Sequence, residues 1–366
     1  MDRSKWEYKP FEDCIEKFKK TKQLMTSDYQ PDGEYPIISQ EASLISGYTD
    51  DSDYVNHFNR PVVIFGDHTR VLKYVDFDFA VGADGVKILI PHTNLDAKFL
   101  LSFLTWYKIP NLGYSRHYKL LKEISVPVPP IADQQRIVAE LDCLNEMIAV
   151  KQEQLKEFDK LAQSIFYDMF GDPSHNEKQW ELKSLKDISN EKLSYGSGAS
   201  AISYDGQTRY IRITDINDKG ELNDDIVSPS VYDEKYLLND GDILFARSGA
   251  TVGKTYCHNS KNGQCIYAGY LIRLVPNKEL VLPSYVFSYT KTPYYRSFVE
   301  AAQRAVAQPN INAKQYGDLL ICIPPLSLQQ QFAEKISAIE AQKELVKQSI
   351  AETQSLFNSR IDFYFN

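Results

Sequence analysis

Two stretches of this chain repeat each other without a gap. VPVPPIADQQRIVAEL (126–141) lies over ICIPPLSLQQQFAEKI (321–336) at an offset of 195 residues. Pro129 and Pro130 fall on Pro324 and Pro325, and Gln134 and Gln135 fall on Gln329 and Gln330. Past that point the likeness persists as a pattern. Ile137, Leu141, Leu144, Ile148, Lys151, Leu155, Phe158, Ala162, Ile165 and Met169 recur at alternating steps of four and three. At the same offset stand Phe332, Ile336, Ile339, Lys343, Val346, Ile350, Thr353, Phe357, Arg360 and Tyr364. An apolar period of about 3.5 residues, sustained for about 40, specifies long helices packed as a coiled coil. The duplication therefore sets the order: globular unit, long helix, globular unit, long helix.

Local chemistry places the helix ends. A Pro-Pro pair cannot sit inside a helix but can precede one. Ser327 with Gln330 has the spacing of a capping box; the first copy has Ala132 there, and Asp133 is its candidate cap. Gly171-Asp172-Pro173 stops the first helix, Gly supplying a left-handed residue and Pro forbidding continuation. Helices of this length extend roughly 60 Å. Lys151, Lys343, Thr353 and Arg360 interrupt the apolar seam. They either set register and pairing or mark where the seam meets solvent. The expected domains are 1–130, helix 131–170, 171–325 and helix 326–366. The expected class is α+β: two mixed strand and helix heads separated by antiparallel coiled-coil helices in a pseudo-two-fold dumbbell.

Within the first head, YPIIS (35–39), RPVVIFGDH (60–68), VLKYVDFDFAVG (71–82) and VKILI (86–90) read as strands, and AKFLLSFLTWY (97–107) as a helix. The second gives strands at TRYIRITDI (208–216), GDILFAR (241–247) and GYLIRLV (269–275), then a helix near 283–299. Polar residues gather in loops: IISQEASLISGYTDD, GDHTR and NLGYSRHYK in one head, LSYGSGASAIS, RSGATVGKT and AAQRAVAQPNINAK in the other. Such side chains bond phosphates and base edges, and glycine permits close backbone approach.

RSGATVGKT (247–255) invites comparison with a phosphate-binding P-loop. Only three residues separate Gly249 from Gly253 where four are needed, Ser248 stands where Gly should, and turn residues replace the following helix. Cys257, His258 and Cys265 lack a fourth ligand at zinc spacing. Dinucleotide fingerprints, nucleophile elbows and the Asn/Asp-Pro-Pro-aromatic motif of amino-methyltransferases are missing.

Charge bears on partners. The net charge is −8, but segments 131–170 and 326–366 supply −5 of it, leaving both heads nearly neutral. A chain so balanced releases few counterions on DNA, so a partner is expected to contribute positive charge. MDRSKWEYKPFEDC lacks a secretory apolar run, no stretch of 18 apolar residues spans a membrane, and five cysteines form no CxxC pair. These features lead to the expectation of a cytoplasmic protein with reduced thiols.

The combination resembles the specificity (S) subunit of Type I restriction–modification enzymes. The resemblance rests on the two Pro-Pro…Gln-Gln helix openings, FGDPSHNEKQWELKSLKDI (170–188), LNDGDILFARSGATVGK (238–254) and QPNINAKQYGDLLICIPPL (308–326). In the first head it rests on FGDHTRVLKYVDFDFAVGADGVKIL (65–89) and YSRHYKLLKEISVPVPP (114–130). It implies two target recognition domains, each reading half of a bipartite site in double-stranded DNA. The helices then act as a ruler and dock two methyltransferase (M) subunits, with restriction (R) subunits joining and no membrane involved. The chain is expected to be non-catalytic, with S-adenosylmethionine, ATP and Mg²⁺ belonging to its partners. The alternatives are the recognition subunit of a fused restriction–methylation enzyme and a coiled-coil scaffold without sequence preference. Candidate DNA contacts are His68, Thr69, Arg70, Arg116 and His117 in the first head. In the second they are Tyr195, Ser197, Arg247, Ser248, Thr251, Lys254, Gln303, Arg304, Gln308 and Asn310. Arg247 has a rival role, pairing with Asp242.

Overall fold

The computed structural model describes residues 3–113, 115–304 and 310–366. Each Pro-Pro pair ends a strand and opens a helix of 40 residues, Ile131–Phe170 and Leu326–Phe365. In both copies the carbonyl of the second proline accepts the first helical bonds: Pro130 from Asp133 and Gln134, Pro325 from Leu328 and Gln329. Ser327 and Asp133 therefore lie within the first turn and are not N-caps. The expected Ser327–Gln330 capping box gives way to a helix that opens two residues too early for it. Gly171 ends the first helix as expected, at φ +79° with its N–H on the Tyr167 carbonyl at 2.8 Å.

The chain divides into two compact units, Met1–Gln152 with Gln348–Asn366, and Glu153–Lys347. Each takes half of both long helices.

In unit 1 an antiparallel sheet has the order Ile15–Glu16, Val86–Pro91, Val62–Gly66, Leu72–Val75. A second sheet has the order Gly47–Thr49, Tyr35–Ile38, Phe79–Val81, Val55–Asn56, its central pair parallel. VDFDFAV does not form one strand. The chain breaks at Asp76–Asp78, where Asp78 accepts the Phe58 N–H at 2.8 Å and faces His57 Nδ1 at 2.6 Å. The helix Ala97–Tyr107 is capped by Asp96, whose Oδ1 accepts from the N–H groups of Lys98 and Phe99 at 2.8 and 3.0 Å. Its buried face, Phe99, Leu100, Phe103 and Leu104, joins Val63, Phe65 and Leu89 from the sheet, Ile137 and Leu141 from the first long helix, and Tyr364 and Phe365 from the second.

Unit 2 follows a related plan. An antiparallel sheet has the order Ser194–Tyr195, Leu271–Leu274, Ile243–Ala246, Thr255–Cys257. Thr208–Ile211 pairs in parallel with Gln264–Tyr267. The helix expected near 283–299 is two helices, Pro283–Tyr289 and Pro293–Arg304, because Pro293 disfavours helical geometry in the residue before it. Phe166 and Phe170 of the first long helix pack with Phe332 of the second, at ring-centroid distances of 5.8 and 5.1 Å, and with Tyr285. The strand leading into each Pro-Pro pair closes its unit in the same way. Ser125–Val128 pairs antiparallel with Glu7–Pro10, and Leu320–Ile323 with Glu181–Ser184.

The polar interruptions of the seam pair across it, with Lys151 and Arg360 still partly open to solvent. In unit 1 Lys151 Nζ donates to Thr353 Oγ1 at 2.9 Å, and Arg360 holds Glu140, with its Nη2 3.0 Å from Oε2. In unit 2 the Lys343 ammonium lies 2.9 Å from Asp159 and 2.8 Å from Glu340. Thr353 and Lys343 are buried. Within each unit, partner numbers fall along one helix as they rise along the other, so the paired halves run antiparallel.

Candidate nucleic-acid interface

In unit 1 the three polar loops singled out in the sequence are stitched together. Gln40 accepts the His68 N–H at its side-chain oxygen (3.2 Å) and the Thr69 hydroxyl at its carbonyl (2.6 Å). The buried Lys73 ammonium donates to the carbonyls of Ser39 and Ser43, at 2.8 and 2.6 Å, and fixes the same loop from below. Arg70 sits in the left-handed region at φ +61° and reaches the Ile109 carbonyl at 3.1 Å. A non-glycine residue held there reports a tightly determined turn. Asp67, fully covered, joins the loops: its carbonyl accepts from His117 N at 2.8 Å and its Oδ1 from Tyr118 N at 2.7 Å.

His68, Thr69 and Arg70 thus form one turn beside the His117 loop. Thr69 and Arg116 are exposed. Arg116 pairs with Asp84 at 3.1 Å, both side chains open to solvent, which makes this a weak ion pair. His117 is a correction. It is fully buried, with Nδ1 2.9 Å from the Asp67 carbonyl and Nε2 accepting from Leu112 N at 3.0 Å, and it shapes the loop from inside.

Unit 2 repeats the convergence. The guanidinium of Arg247 lies over the Tyr195 ring, 4.6 Å from its centroid, and its Nε donates to Asn310 Oδ1 at 3.2 Å. The Tyr195 hydroxyl accepts from Ala313 N at 3.0 Å, and Ser248 bridges to Asn310. The partners of Arg247 are thus a ring and a neutral amide. Asp242 instead lies 3.8 Å from Arg273, which removes the rival pairing.

RSGATVGK proves to be the hairpin connection between Ile243–Ala246 and Thr255–Cys257. Gly253 N donates to the Ala246 carbonyl at 3.0 Å and Ala246 N to the Lys254 carbonyl at 2.8 Å. Gly253 has φ +87°, and a Cβ there would stand 2.6 Å from Val299, so glycine is required twice over. Thr251 turns its hydroxyl onto the Ser248 carbonyl at 3.1 Å, and Lys254 pairs with the exposed Asp218 at 3.1 Å.

Ser197 is a second correction. It is buried, its carbonyl accepts from Gly269 N and the Tyr210 hydroxyl, and its own hydroxyl accepts from Ala199 N at 3.1 Å. Gln303 lies near the end of the helix Pro293–Arg304, where Arg304 is its last residue. Gln308 lies outside the described residues.

Sequence reasoning passed over Asp67, Gln40 and Tyr270. Tyr270 is 62% exposed, and its carbonyl accepts the Arg247 N–H at 3.0 Å, which puts an open aromatic beside the Arg247 cluster. Its only signal is a tyrosine in the turn AGY before a strand.

The cysteine and histidine residues are otherwise engaged. His258 Nδ1 faces the Tyr256 hydroxyl at 3.2 Å, and the Cys265 thiol donates to the Asn262 carbonyl at 3.5 Å. Burial pushes the Cys257 thiol up to about 12 and that of Cys265 up to about 11, the reverse of what a thiolate ligand requires. Among the described residues no group of three or more His, Cys, Asp or Glu is placed to hold a metal ion, and no helix is long and apolar enough to cross a membrane.

The sequence model of the Type I restriction modification DNA specificity domain matches this chain twice, over residues 3–158 and 177–354. The chain belongs to that family. As a specificity subunit it serves DNA recognition and carries no catalysis of its own. It is 21% identical to a putative type I restriction enzyme specificity subunit of Haemophilus influenzae, covering 100% of this chain and 95% of that one. It is 23% identical to a putative specificity subunit of Methanocaldococcus jannaschii, over 72% of this chain and 66% of the relative. Its fold is similar to the crystal structure of a Type I restriction–modification S subunit from M. genitalium, with a TM-score of 0.61 at 15% identity over 97% of this chain and 95% of that one. A structure solved for the assembly and conformational transition of the type I system gives a TM-score of 0.58 at 16% identity, covering 99% and 97%.

Proposed function

We propose that each unit reads one half of a bipartite sequence in double-stranded DNA through its own loop cluster. The observation that carries this reading is the double occurrence of the specificity domain, each copy drawing three polar loops into one cluster. Thr69, Arg70 and Arg116 serve in the first, with His68 in the same turn. Tyr195, Arg247, Ser248 and Asn310 serve in the second, with Thr251 and Lys254 on the adjoining hairpin and Gln303 and Arg304 at the helix end. An arginine favours guanine, and asparagine or glutamine favours adenine.

The paired helices, each roughly 60 Å long at ~1.5 Å per residue, serve as the ruler that reading two half-sites about one DNA turn (~34 Å) apart requires. They also dock two methyltransferase subunits, with restriction subunits joining the larger assembly. S-adenosylmethionine, ATP and Mg²⁺ serve those partners, and the complex works in the cytoplasm. Because the heads are nearly neutral, the methyltransferase subunits supply much of the positive charge that meets phosphates.

The test uses labelled S-adenosylmethionine and a duplex carrying both half-sites. The purified chain alone transfers no methyl group, whereas adding methyltransferase subunits gives transfer that requires both half-sites. Transfer by the chain alone, or transfer indifferent to either half-site, contradicts the proposal.

A further inference from the structure

The duplicated glutamines do more than mark the helix openings. Gln134 and Gln329, 195 positions apart, are both fully buried and make the same three hydrogen bonds. Gln134 Nε2 donates to the Pro129 carbonyl at 2.7 Å and the Asn94 carbonyl at 2.8 Å, and its Oε1 accepts from Asp96 N at 2.7 Å. Gln329 Nε2 donates to the Pro324 carbonyl at 2.9 Å and the Leu280 carbonyl at 3.0 Å, and its Oε1 accepts from Leu282 N at 2.8 Å.

The partners correspond position by position. One is the proline five residues back. The other two are the N-cap residue of a helix in the head, Asp96 or Leu282, and the residue two before it. Three bonds to one planar amide fix rotation as well as distance, so each glutamine locks its long helix to its head. Every partner is a backbone group. Asn94-Leu95-Asp96 and Leu280-Val281-Leu282 share no residue at corresponding positions, yet they are gripped alike. A backbone grip tolerates heads of unrelated sequence on one kind of rod.

We infer that Gln134 and Gln329 are positioning residues that set the angle at which each recognition unit joins its helices, and so the DNA length required between the two half-sites. This rests on the bipartite reading proposed above. An apolar core fixes separation but tolerates small rotations; directional hydrogen bonds do not. A small rotation at the base of a head displaces its loops along the groove.

The experiment reconstitutes the full chain with methyltransferase subunits. Methyl transfer is measured on duplexes carrying both half-sites at the native spacing and at one base pair more or fewer. Gln329→Met fills the same space without the amide. It is expected to reduce the preference for native spacing by ~10-fold, the effect of about 1.4 kcal/mol of positioning free energy. Gln330→Ala, at the exposed neighbour, retains the wild-type preference. Circular dichroism and thermal melting check that the Met variant is folded; if it is not, Gln329→Asn, one methylene short, replaces it. A folded variant whose rates fall equally on all spacings overturns the inference and leaves Gln329 a purely structural residue. If the wild-type complex ignores one half-site altogether, the bipartite reading itself is wrong.

Discussion

Arg247 Cζ lies over the Tyr195 ring, 4.6 Å from its centroid, and Asn310 holds its Nε at 3.2 Å. Residues from three distant loops thus orient one guanidinium, and its terminal nitrogens make no hydrogen bond among the described residues. A pre-oriented planar fork is what bidentate recognition of guanine needs.

Arg247→Ala is therefore expected to relax base preference at one position of one half-site, removing about 1–3 kcal/mol of discrimination and leaving the other half-site unchanged. Arg247→Lys does not restore it, because an ammonium neither stacks flat nor bonds in a fork. Methylation rates on duplexes substituted at each position check both outcomes. A uniform loss across all sequences would make Arg247 a phosphate contact.

Phe166 anchors the first long helix in unit 2 by touching Phe170, Tyr285, Tyr289 and Phe332. Phe166→Ala is expected to destabilise the protein by about 3–5 kcal/mol, as large core truncations do. Urea unfolding with an unchanged slope is the measurement.

Asp159 faces two lysines, Lys343 at 2.9 Å and Lys219 at 2.6 Å. Burial alone would raise its carboxyl, but hydrogen bonds from Lys219 and Lys343 outweigh that and hold it below the usual carboxylate range. A lowered carboxyl contributes stability at neutral pH that is lost as pH falls through the carboxylate range toward the folded value. Asp159→Asn should lower stability by about 1–3 kcal/mol at neutral pH, between the exposed and buried limits. The gap from wild type should narrow as pH drops from about 5 to about 3. Melting curves across that range decide it.

Lys291 is largely buried, with Nζ 3.2 Å from Thr255 Oγ1, and burial pushes it down from the ordinary 10.5 to about 8. Between those values the unfolded chain holds a proton that the native state has released, so stability rises with pH across that window. Lys291→Met should abolish this rise and add about 1–3 kcal/mol at neutral pH, where wild type carries a buried charge. Urea midpoints at about pH 7 and about pH 9.5 for both proteins provide the check.

The helices were legible because a coiled coil writes its packing directly into the spacing of its side chains: Ile131 and Gly171 mark the ends of the first one in plain sequence. The helix Ala97–Tyr107 was legible for the same reason. The break at Asp76–Asp78 was not, because alternation in VDFDFAV says nothing of Phe58 and His57, which draw Asp78 out of the strand. The break before Pro293 was written in the sequence but was masked by the aromatic run around it. In the loops, composition singled out segments that the fold brings together, while burial separates the open residues from the covered ones. His117 and Ser197 look like contacts and serve inside the loops; Tyr270 looks like a strand residue and is open. The Gln134 and Gln329 grips were visible as a duplication, but their partners are backbone groups, which no pattern of side chains reveals.

Bipartite recognition is tested by mapping methylated adenines across the genome in cells with and without this gene. It predicts that the gene adds one motif, made of two short specified halves separated by a fixed unspecified spacer. A single contiguous motif, or an unchanged map in cells that also carry the methyltransferase subunits, would contradict it.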